Sequence, residues 1–252
     1  MTGYDPAHFA RIASVEQRHA WFRARRELLG RLAADLTSDL PDGFQVLDAG
    51  CGTGDVLQRL VQACPRGVVI GMDIHAAGLE FARQRTNCRL VVGDVRQPPF
   101  GAEFALVGIF DVLEHLEDDN DVLRQLCGLL RPGGVLLLTV PGDPSLWSYF
   151  DVSAGHVRRY TVDEIDQKLR SAGVKVEYIT PFMQVMKPLI RGYRCAAPQV
   201  NTAHDTRGDL RVVPVINEVL YWLLYRELPM IQRRQVLRSG SSILAIARRE
   251  WT

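Results

Sequence analysis

The stretch VLDAGCGTGD at residues 46–55 decides the fold, because an apolar run passes directly into three glycines at alternate positions. A strand that enters a glycine-rich turn and then a helix brings backbone N–H groups against a ligand. The dinucleotide-binding form of this turn is GxGxxG, whereas Gly50, Gly52 and Gly54 form GxGxG. Asp48 adds a carboxylate that would repel a pyrophosphate and attract an ammonium or sulfonium group. We therefore expect a nucleoside-type ligand that carries positive charge.

Further acids follow at the ends of the next strands. Asp55 comes directly after the glycines, and Asp73 closes the second strand, where an acid accepts hydrogen bonds from ribose hydroxyls. Asp94 ends the third strand, where an adenine edge would lie. Ligands of open α/β sheets bind at the carboxyl edge, so these acids predict one shared site.

The pattern around this stretch predicts an α/β fold, because short β-rich runs alternate with helical periodicity. Strands are predicted at residues 46–49, 68–72, 90–92, 104–110, 135–140, 174–180 and 242–247. Helices are predicted at residues 14–36, 56–63, 76–84, 120–130, 162–172 and 217–228. Thr161 with Glu164 predicts a capping box, and RPGG at 131–134 predicts a stop and turn before the fifth strand.

Two regions lie outside the alternation and suggest how the chain is organised. We expect an N-terminal helical cap over residues 1–40 and one domain over 41–252, with a helical lid or insert at about 181–240. Candidates for an apolar acceptor pocket are Tyr4, Trp21, Phe22, Tyr149, Tyr221 and Trp222. Arg23, Arg25 and Arg26 are expected on a solvated helix face, with the alternative that one of them reaches the cofactor carboxylate.

The composition excludes several classes of protein. The chain has 252 residues, 47% hydrophobic and 23% charged, with a formal net charge of +1, so no global field favours nucleic acid or membrane. Five scattered cysteines without a CxxC pair indicate reduced thiols. No signal peptide or spanning segment is apparent, so a cytoplasmic location, no stable membrane association and a monomer or homodimer are expected.

The glycine loop and the acids together resemble motif I and the following motifs of class I S-adenosylmethionine-dependent methyltransferases, over roughly residues 40–180 and the final strand. The resemblance implies a Rossmann-like seven-stranded sheet, mostly parallel, with an antiparallel last strand and helices on both faces. It implies Gly50 and Gly52 near the methionine moiety and Asp73 on the ribose. It places Asp94 and Val95 on the adenine. The cofactor-binding residues expected are Asp48, Gly50, Cys51, Gly52, Gly54, Asp73, Ile74, Asp94, Val95, Asp111 and Val112.

Two histidines are the candidate catalytic residues. The fourth strand ends in FDVLEHLEDD at 110–119, and His115 is the nearest candidate base for a nucleophile aligned with the S–CH₃ bond. The segment LWSYFDVSAGHVRRYT at 146–161 is similar to a bacterial branch that acts mostly on small molecules, and its His156 is the second candidate. Alternatively, His115 caps a helix or fixes the cofactor loop, and His156 with Arg158 and Arg159 staples its loop to the sheet.

A metal-dependent alternative concerns the same histidines. DxxEH is similar to the ExxEH set that binds a divalent ion in small-RNA 2′-O-methyltransferases and in some ubiquinone-pathway O-methyltransferases. Asp111, Glu114, His115 and His156 would then supply oxygen and nitrogen ligands to Mg²⁺, Mn²⁺ or Zn²⁺. The leading expectation has no metal.

The favoured function is methyl transfer from S-adenosylmethionine to an oxygen or nitrogen of a small molecule. An NAD-dependent oxidoreductase is disfavoured by Asp48 and by the GxGxG spacing. A non-catalytic cofactor-binding protein is the alternative from another class. No nucleic-acid acceptor is expected, since the chain has neither a DPPY or NPPY tetrapeptide nor a basic stripe.

Overall fold

The computed structural model describes residues 6–196 and 213–250, and its strands form one seven-stranded sheet. The strands are β1 (Gln45–Ala49), β2 (Val68–Asp73), β3 (Arg89–Val92), β4 (Phe104–Phe110), β5 (Leu130–Pro141), β6 (Lys175–Phe182) and β7 (Ser242–Arg248). The α-helices are α1 (Pro6–Val15), α2 (Ala20–Thr37), α3 (Asp55–Ala63), α4 (Ala76–Arg85), α5 (Asp119–Gly128), α6 (Tyr149–Ser153), α7 (Val162–Ser171), α8 (Met186–Ala196), α9 (Pro214–Tyr225) and α10 (Leu228–Gln232).

The strand order is β3-β2-β1-β4-β5-β7-β6, with β7 antiparallel to both neighbours and the other pairs parallel. All seven residues of β4 are buried, as expected for a central strand covered on both faces. The Rossmann-like sheet with an antiparallel last strand is thus confirmed. The order of the strands reverses between β1 and β4, which makes the carboxyl ends of these two strands the switch point where ligands bind.

Helices cover both faces of the sheet and bury two separate cores. One core contains Leu28 and Leu32 from α2 together with Leu57 from α3. The other contains Leu126 from α5 and Leu169 from α7. Helix α2 is therefore part of one helical layer and contributes fully buried side chains to it.

The single helix predicted over residues 14–36 is wrong, because the structure has two helices, α1 and α2, with a break at residues 16–19. Glu16 in the break turns inward, where the hydroxyl of Thr53 donates to its carboxylate at 2.8 Å and Arg85 forms an ion pair with it. His19 restarts the helix as N-cap, since its Nδ1 accepts from the N–H of Trp21 at 3.3 Å. Partners distant in the sequence thus cause the break.

The predicted stop at RPGG is also wrong, since residues 131–134 lie inside β5. The pairing with β4 shifts there, from Phe104 opposite Leu130 to Leu106 opposite Val135, so the extra residues form a bulge. Gly133 supplies the positive φ of +74° that the bulge needs. The glycines therefore bend a strand that continues.

Other predicted elements need smaller corrections. The helix predicted at 120–130 ends at Gly128, because β5 already begins at Leu130. The helix predicted at 217–228 is divided into α9 and α10. The capping box of Thr161 and Glu164 is confirmed. Across the ranges 6–196 and 213–250, no helix combines the length and apolar character needed to cross a bilayer.

Candidate active site

The glycine loop between β1 and α3 has a backbone that only glycine adopts readily. Gly50, Gly52 and Gly54 have φ values of +82°, +51° and +80°. A Cβ at Gly50 would lie 2.5 Å from Val112, and one at Gly54 would lie 2.8 Å from Ala82, whereas the space beside Gly52 is open. The first and third glycines thus allow close packing, and the middle one leaves room for a ligand.

Asp48 is a buried carboxylate at the carboxyl end of β1. Its side chain is 1% exposed, and its Oδ2 has no hydrogen-bond partner among the residues that the structure describes. Burial raises the pKa of Asp48 to about 7, an effect that Arg25 opposes and Asp73 reinforces. A cationic ligand at this position would compensate the charge that the protein leaves uncompensated.

Asp73 ends β2 beside the glycine loop. Its Oδ2 accepts from the N–H of Gly52 and its Oδ1 accepts from the N–H of His75, both at 2.8 Å. Burial raises the pKa of Asp73, and these two hydrogen bonds oppose the rise. Each carboxylate oxygen has a second lone pair, so Asp73 keeps the capacity to accept from ribose hydroxyls. Ile74 follows as a 44% exposed apolar surface at the same edge.

The residues predicted for the adenine lie after β3. Val95 is buried, and the carboxylate of Asp94 binds Arg96, with 2.7 Å between Oδ2 and Nη2. The hydrogen bonds from Arg96 lower the pKa of Asp94, so it is an anion. A polar cavity of about 640 Å³ adjoins Asp94. It is lined by Asp94, Arg96, Gln97, Asp118, Asp121, Arg124 and Gln125.

The side chain of Arg25, on α2, reaches the carboxyl edge of the sheet at the end of β4. Its Nε lies 2.6 Å from Oδ2 of Asp111, and its Nη2 donates to the carbonyl oxygen of Phe110 at 2.9 Å. Asp111 has a positive φ of +54°, an uncommon backbone conformation for a non-glycine residue and one that is often found at functional sites. Val112, the next residue, packs against Gly50. The edge therefore holds a buried cation beside two carboxylates, Asp48 and Asp111.

The expectation of a solvated face for Arg23, Arg25 and Arg26 is wrong. Arg25 is 7% exposed, Arg26 forms an ion pair with Asp55, and Arg23 binds Glu218 while its guanidinium stacks 3.9 Å from the Tyr221 ring. The sequence contained a signal for Arg25, which follows Trp21 by four residues and precedes Leu28 and Leu29 by three and four. That spacing places it on the apolar face.

The two candidate catalytic histidines lie together, with ring centroids 4.9 Å apart. Nδ1 of His156 donates to Oδ1 of Asp151 at 3.0 Å, and Nδ1 of His115 lies 3.1 Å from the carbonyl oxygen of Gly155. A carbonyl oxygen only accepts, so Nδ1 of His115 carries a proton and the neutral ring has its acceptor at Nε2. The same reasoning applies to His156, because ionised Asp151 only accepts.

Glu114 lies against these histidines and is 1% exposed. Its Oε1 is 3.8 Å from Nε2 of His156, and within the described chain its Oε2 has no hydrogen-bond partner. Burial and the neighbouring Asp111 raise the pKa of Glu114 well above its ordinary value. Of the four residues in the metal-dependent alternative, Glu114, His115 and His156 have ligand atoms within 4.8 Å of one another. Asp111 is paired with Arg25 instead.

The arginines of the GHVRRY segment hold its loop to the start of α5 and to the end of β5. Arg158 lies 3.0 Å from Asp119, and Arg159 lies 2.7 Å from Asp151 and donates to the carbonyl oxygen of Gly142. Burial raises the pKa of Asp151, but hydrogen bonds and charge from His156 and Arg159 lower it overall. The stapling role proposed for Arg158 and Arg159 therefore agrees with their contacts, and His156 is fixed by the same carboxylate as Arg159.

The aromatic candidates differ in their contacts and exposure. Trp21 and Phe22 contact each other edge to face, with centroids 4.8 Å apart. Tyr221 packs below Arg23, whereas Trp222 and Tyr149 are 57% and 39% exposed. Tyr4 lies outside the described residues.

Cys51 is buried in the glycine loop, and it is a free thiol, as are Cys64, Cys88 and Cys127.

Known proteins resemble both the sequence and the structure. The sequence model of a methyltransferase domain matches residues 46–134. Trans-aconitate 2-methyltransferase of Deinococcus radiodurans is 37% identical over 115 residues, 44% of this chain and 44% of its own length. The 27-O-demethylrifamycin SV methyltransferase of Amycolatopsis mediterranei is 32% identical over 181 residues, 66% of this chain and 65% of its own. The chain therefore spans about half to two thirds of these relatives.

A solved structure extends the similarity over nearly the whole fold. It is a chain from the complex between the Haloferax volcanii Trm112 methyltransferase activator and a methyltransferase, with a TM-score of 0.63 and 19% identity. The match covers 97% of this chain and 95% of the other. Together with the acids and the glycine loop at the switch point of the sheet, the sequence match identifies a methyltransferase domain at residues 46–134, and the structural match shows that the chain shares the fold of that solved chain.

Proposed function

We propose that this protein transfers the methyl group of S-adenosylmethionine to an oxygen or nitrogen of a small molecule by in-line displacement. A lone pair of the acceptor forms the new bond to the methyl carbon while the S–C bond breaks and its electrons return to sulfur. The observation that carries this proposal is Asp48, a buried carboxylate near the end of β1, directly before the glycine loop, whose Oδ2 has no hydrogen-bond partner among the described residues. A cofactor with a positive charge at its amino acid end suits this site better than a pyrophosphate.

The other edge residues support the same cofactor. Asp73 would accept from the ribose hydroxyls, and Ile74 offers an apolar surface for the adenine. Asp94 would meet the exocyclic amino group, with Val95 packed beside it. Gly50, Cys51 and Gly54 of the loop, with Asp111 and Val112 after β4, complete the proposed set.

The acceptor side of the proposed site is the cluster of Glu114, His115 and His156. The acceptor must lose a proton during transfer, and the Nε2 of a neutral imidazole is a suitable base. We propose His115 and His156 as the catalytic residues. The names of relatives, among them methyltransferases of trans-aconitate and of demethylrifamycin SV, favour a small molecule, and the second name specifies an oxygen.

Two measurements on the full chain test this function. Calorimetry should show binding of S-adenosylmethionine and of its demethylated product, and no binding of NAD; binding of NAD alone would contradict the proposal. A turnover screen with methyl-labelled cofactor and small carboxylic acids, phenols, alcohols and amines should then yield a labelled product. Cofactor binding without any labelled product would favour the non-catalytic alternative.

Variants distinguish the proposed catalytic residues from the proposed cofactor-binding residues. His115→Ala and His156→Ala should lower kcat by about 10²–10⁴-fold while cofactor affinity changes little. His19→Asn is the matched control, because asparagine also caps a helix and His19 belongs to the start of α2. An equal loss of activity in the control would indicate damage to the fold, and unchanged kcat in both variants would exclude the histidines as bases.

A further inference from the structure

We propose that Glu16 is a positioning residue for the cofactor, and that it acts through Thr53 on the conformation of the glycine loop. The inference rests on the function proposed above and deepens it, because it makes the N-terminal segment a part of the cofactor site. Glu16 lies in the break between α1 and α2. Thr53 is the residue between the second and third glycines of the loop.

The hydroxyl of Thr53 connects the glycine loop to Glu16. Thr53 Oγ1 lies 2.8 Å from both carboxylate oxygens of Glu16 and donates to them. Both side chains are buried, so little water reaches this hydrogen bond. Arg85 of α4 forms an ion pair with the same carboxylate, and its Nη2 donates to the carbonyl oxygen of Ala13 in α1 at 3.4 Å. Glu16 therefore joins α1, α4 and the loop at one buried point.

The loop depends on such a restraint because its three glycines all have positive φ. Glycine loses more conformational freedom on folding than any other residue. Gly52, which has open space beside it, donates from its N–H to Oδ2 of Asp73 at 2.8 Å. The next residue, Thr53, is held by Glu16. Gly52 is thus fixed from both sides, by Asp73 through its own N–H and by Glu16 through its neighbour.

This restraint affects the two features of the loop on which cofactor binding is proposed to depend. A loop that is already fixed binds a ligand more tightly, because the ligand does not have to order it. Asp73 is the proposed acceptor for the ribose hydroxyls, so a shift of Gly52 would move the hydrogen bond that orients this carboxylate. The effect of Glu16 on the cofactor is therefore indirect, through Thr53 and Gly52.

The packing of α1 brings the N-terminal segment to the same loop. Phe9 is buried and lies against His75, with ring centroids 5.6 Å apart. A Cβ at Gly78 would lie 2.9 Å from the Phe9 ring and 3.0 Å from the carbonyl oxygen of Gly52. Helix α1, the start of α4 and the loop are therefore in close contact, and the contacts of Glu16 belong to this interface.

The charges around Glu16 explain why its partners matter. Burial and the neighbouring Asp55 raise the pKa of Glu16, and Arg85 and Thr53 only partly oppose the rise. A buried carboxyl group that loses a hydrogen-bond partner is left with the full cost of its desolvation. Removal of the Thr53 hydroxyl should therefore release the loop and also disturb Glu16.

The test compares two substitutions of Thr53 in the full chain by calorimetry with S-adenosylhomocysteine, the demethylated cofactor. Thr53→Val has a similar shape but cannot donate, so its Kd should rise by about 10–100-fold. Thr53→Ser keeps the hydroxyl and should bind with nearly the wild-type Kd. Glu16→Leu, which cannot accept, should resemble Thr53→Val. The double variant should bind no more weakly than either single variant, because each removes the same contact.

Glu27→Leu is the matched control, since Glu27 also binds two arginines, Arg31 and Arg59, and joins α2 to α3 without touching the loop. Urea unfolding gives the stability of each variant, and Thr53→Val alone decides the test if Glu16→Leu does not fold. A lower free energy of unfolding with an unchanged Kd would overturn the inference, as would an equal rise of Kd in the control or additive effects in the double variant.

The same titrations separate this inference from the proposed function. A wild type that does not bind S-adenosylhomocysteine would contradict the proposed function and the inference with it. Equally tight binding by the wild type and by Thr53→Val would contradict the inference alone.

Discussion

At the scale of single residues, the site depends on carboxylates whose charges the fold leaves partly uncompensated. Asp48 is the clearest of these, because it is buried and Arg25, the cation that lowers its pKa, is itself paired with Asp111. Such a group binds a cation only in its ionised form. The affinity of the proposed cofactor must therefore depend on the protonation of Asp48.

The first prediction concerns the pH dependence of cofactor binding. Because the pKa of Asp48 is raised to about 7, the carboxyl is mostly protonated at pH 6 and mostly ionised at pH 8. The calorimetric Kd of the demethylated cofactor should be about tenfold larger at pH 6 than at pH 8. Asp48→Asn should bind weakly and with little pH dependence; a tenfold change that persists in this variant would assign the titration to another group.

The second prediction compares two glycines of the loop. Gly54→Ala places a methyl group 2.8 Å from the Ala82 backbone at a φ of +80°, so it should lower the free energy of unfolding by about 1–3 kcal/mol. Gly52→Ala meets open space and should cost about 1 kcal/mol, from its positive φ alone. It should nevertheless weaken cofactor binding at least tenfold, since its methyl group occupies the ligand side.

Urea unfolding and calorimetry on both variants distinguish these effects. If Gly52→Ala binds the cofactor as tightly as the wild type, the open space beside Gly52 is not part of the cofactor site.

At the scale of elements, Asn217 joins α9, which lies in the segment predicted as a lid or insert, to the start of α2. Its Oδ1 accepts from the N–H of Ala20 at 2.7 Å, and its Nδ2 donates to the carbonyl oxygen of Arg18 at 2.8 Å. Both contacts lie next to the break between α1 and α2. The cap at 1–40 and the insert at 181–240 are therefore connected in the described structure, although their boundaries stay predictions.

The third prediction is that Asn217→Ala lowers the free energy of unfolding by about 1–3 kcal/mol, because it leaves the buried N–H of Ala20 without its acceptor. The neighbouring Glu218→Gln is the control. This variant removes the ion pair between Glu218 and Arg23. The Glu218 carboxylate is 61% exposed, and ion pairs this exposed contribute less than about 1 kcal/mol to the free energy of unfolding. Equal destabilisation of the two variants in urea unfolding would contradict this role of Asn217.

At the scale of the whole molecule, the proposed cofactor should stabilise the fold, because it would join the ends of β1, β2 and β4. The fourth prediction is a Tm increase of about 5–10 °C with the demethylated cofactor at 100 times its Kd, from about 2.7 kcal/mol of binding linkage. Differential scanning fluorimetry measures it, with NAD as the ligand control and Asp48→Asn as the protein control. No shift at saturation, or an equal shift with NAD, would contradict the proposed cofactor.

Most of the fold was predictable from the sequence because its signals are local. The strand predicted at 104–110 has the observed bounds, since seven consecutive apolar or small residues form a strand that is buried on both faces. The secondary-structure predictions are wrong where contacts with residues distant in the sequence determine the backbone. Glu16 breaks the N-terminal helix through Thr53 and Arg85, and the RPGG bulge depends on the register of β4.

The sequence by itself determined the α/β class, the glycine loop and the order of its acids, because strand and turn signals lie within a few residues of one another. Only the tertiary structure decided how the charges pair. It turned Arg25 inward to Asp111, held His156 with Asp151, and left Asp48 and Glu114 buried with unpartnered oxygens within the described chain. The physical reason is that these contacts join residues far apart along the chain, and folding alone brings them to one edge of the sheet.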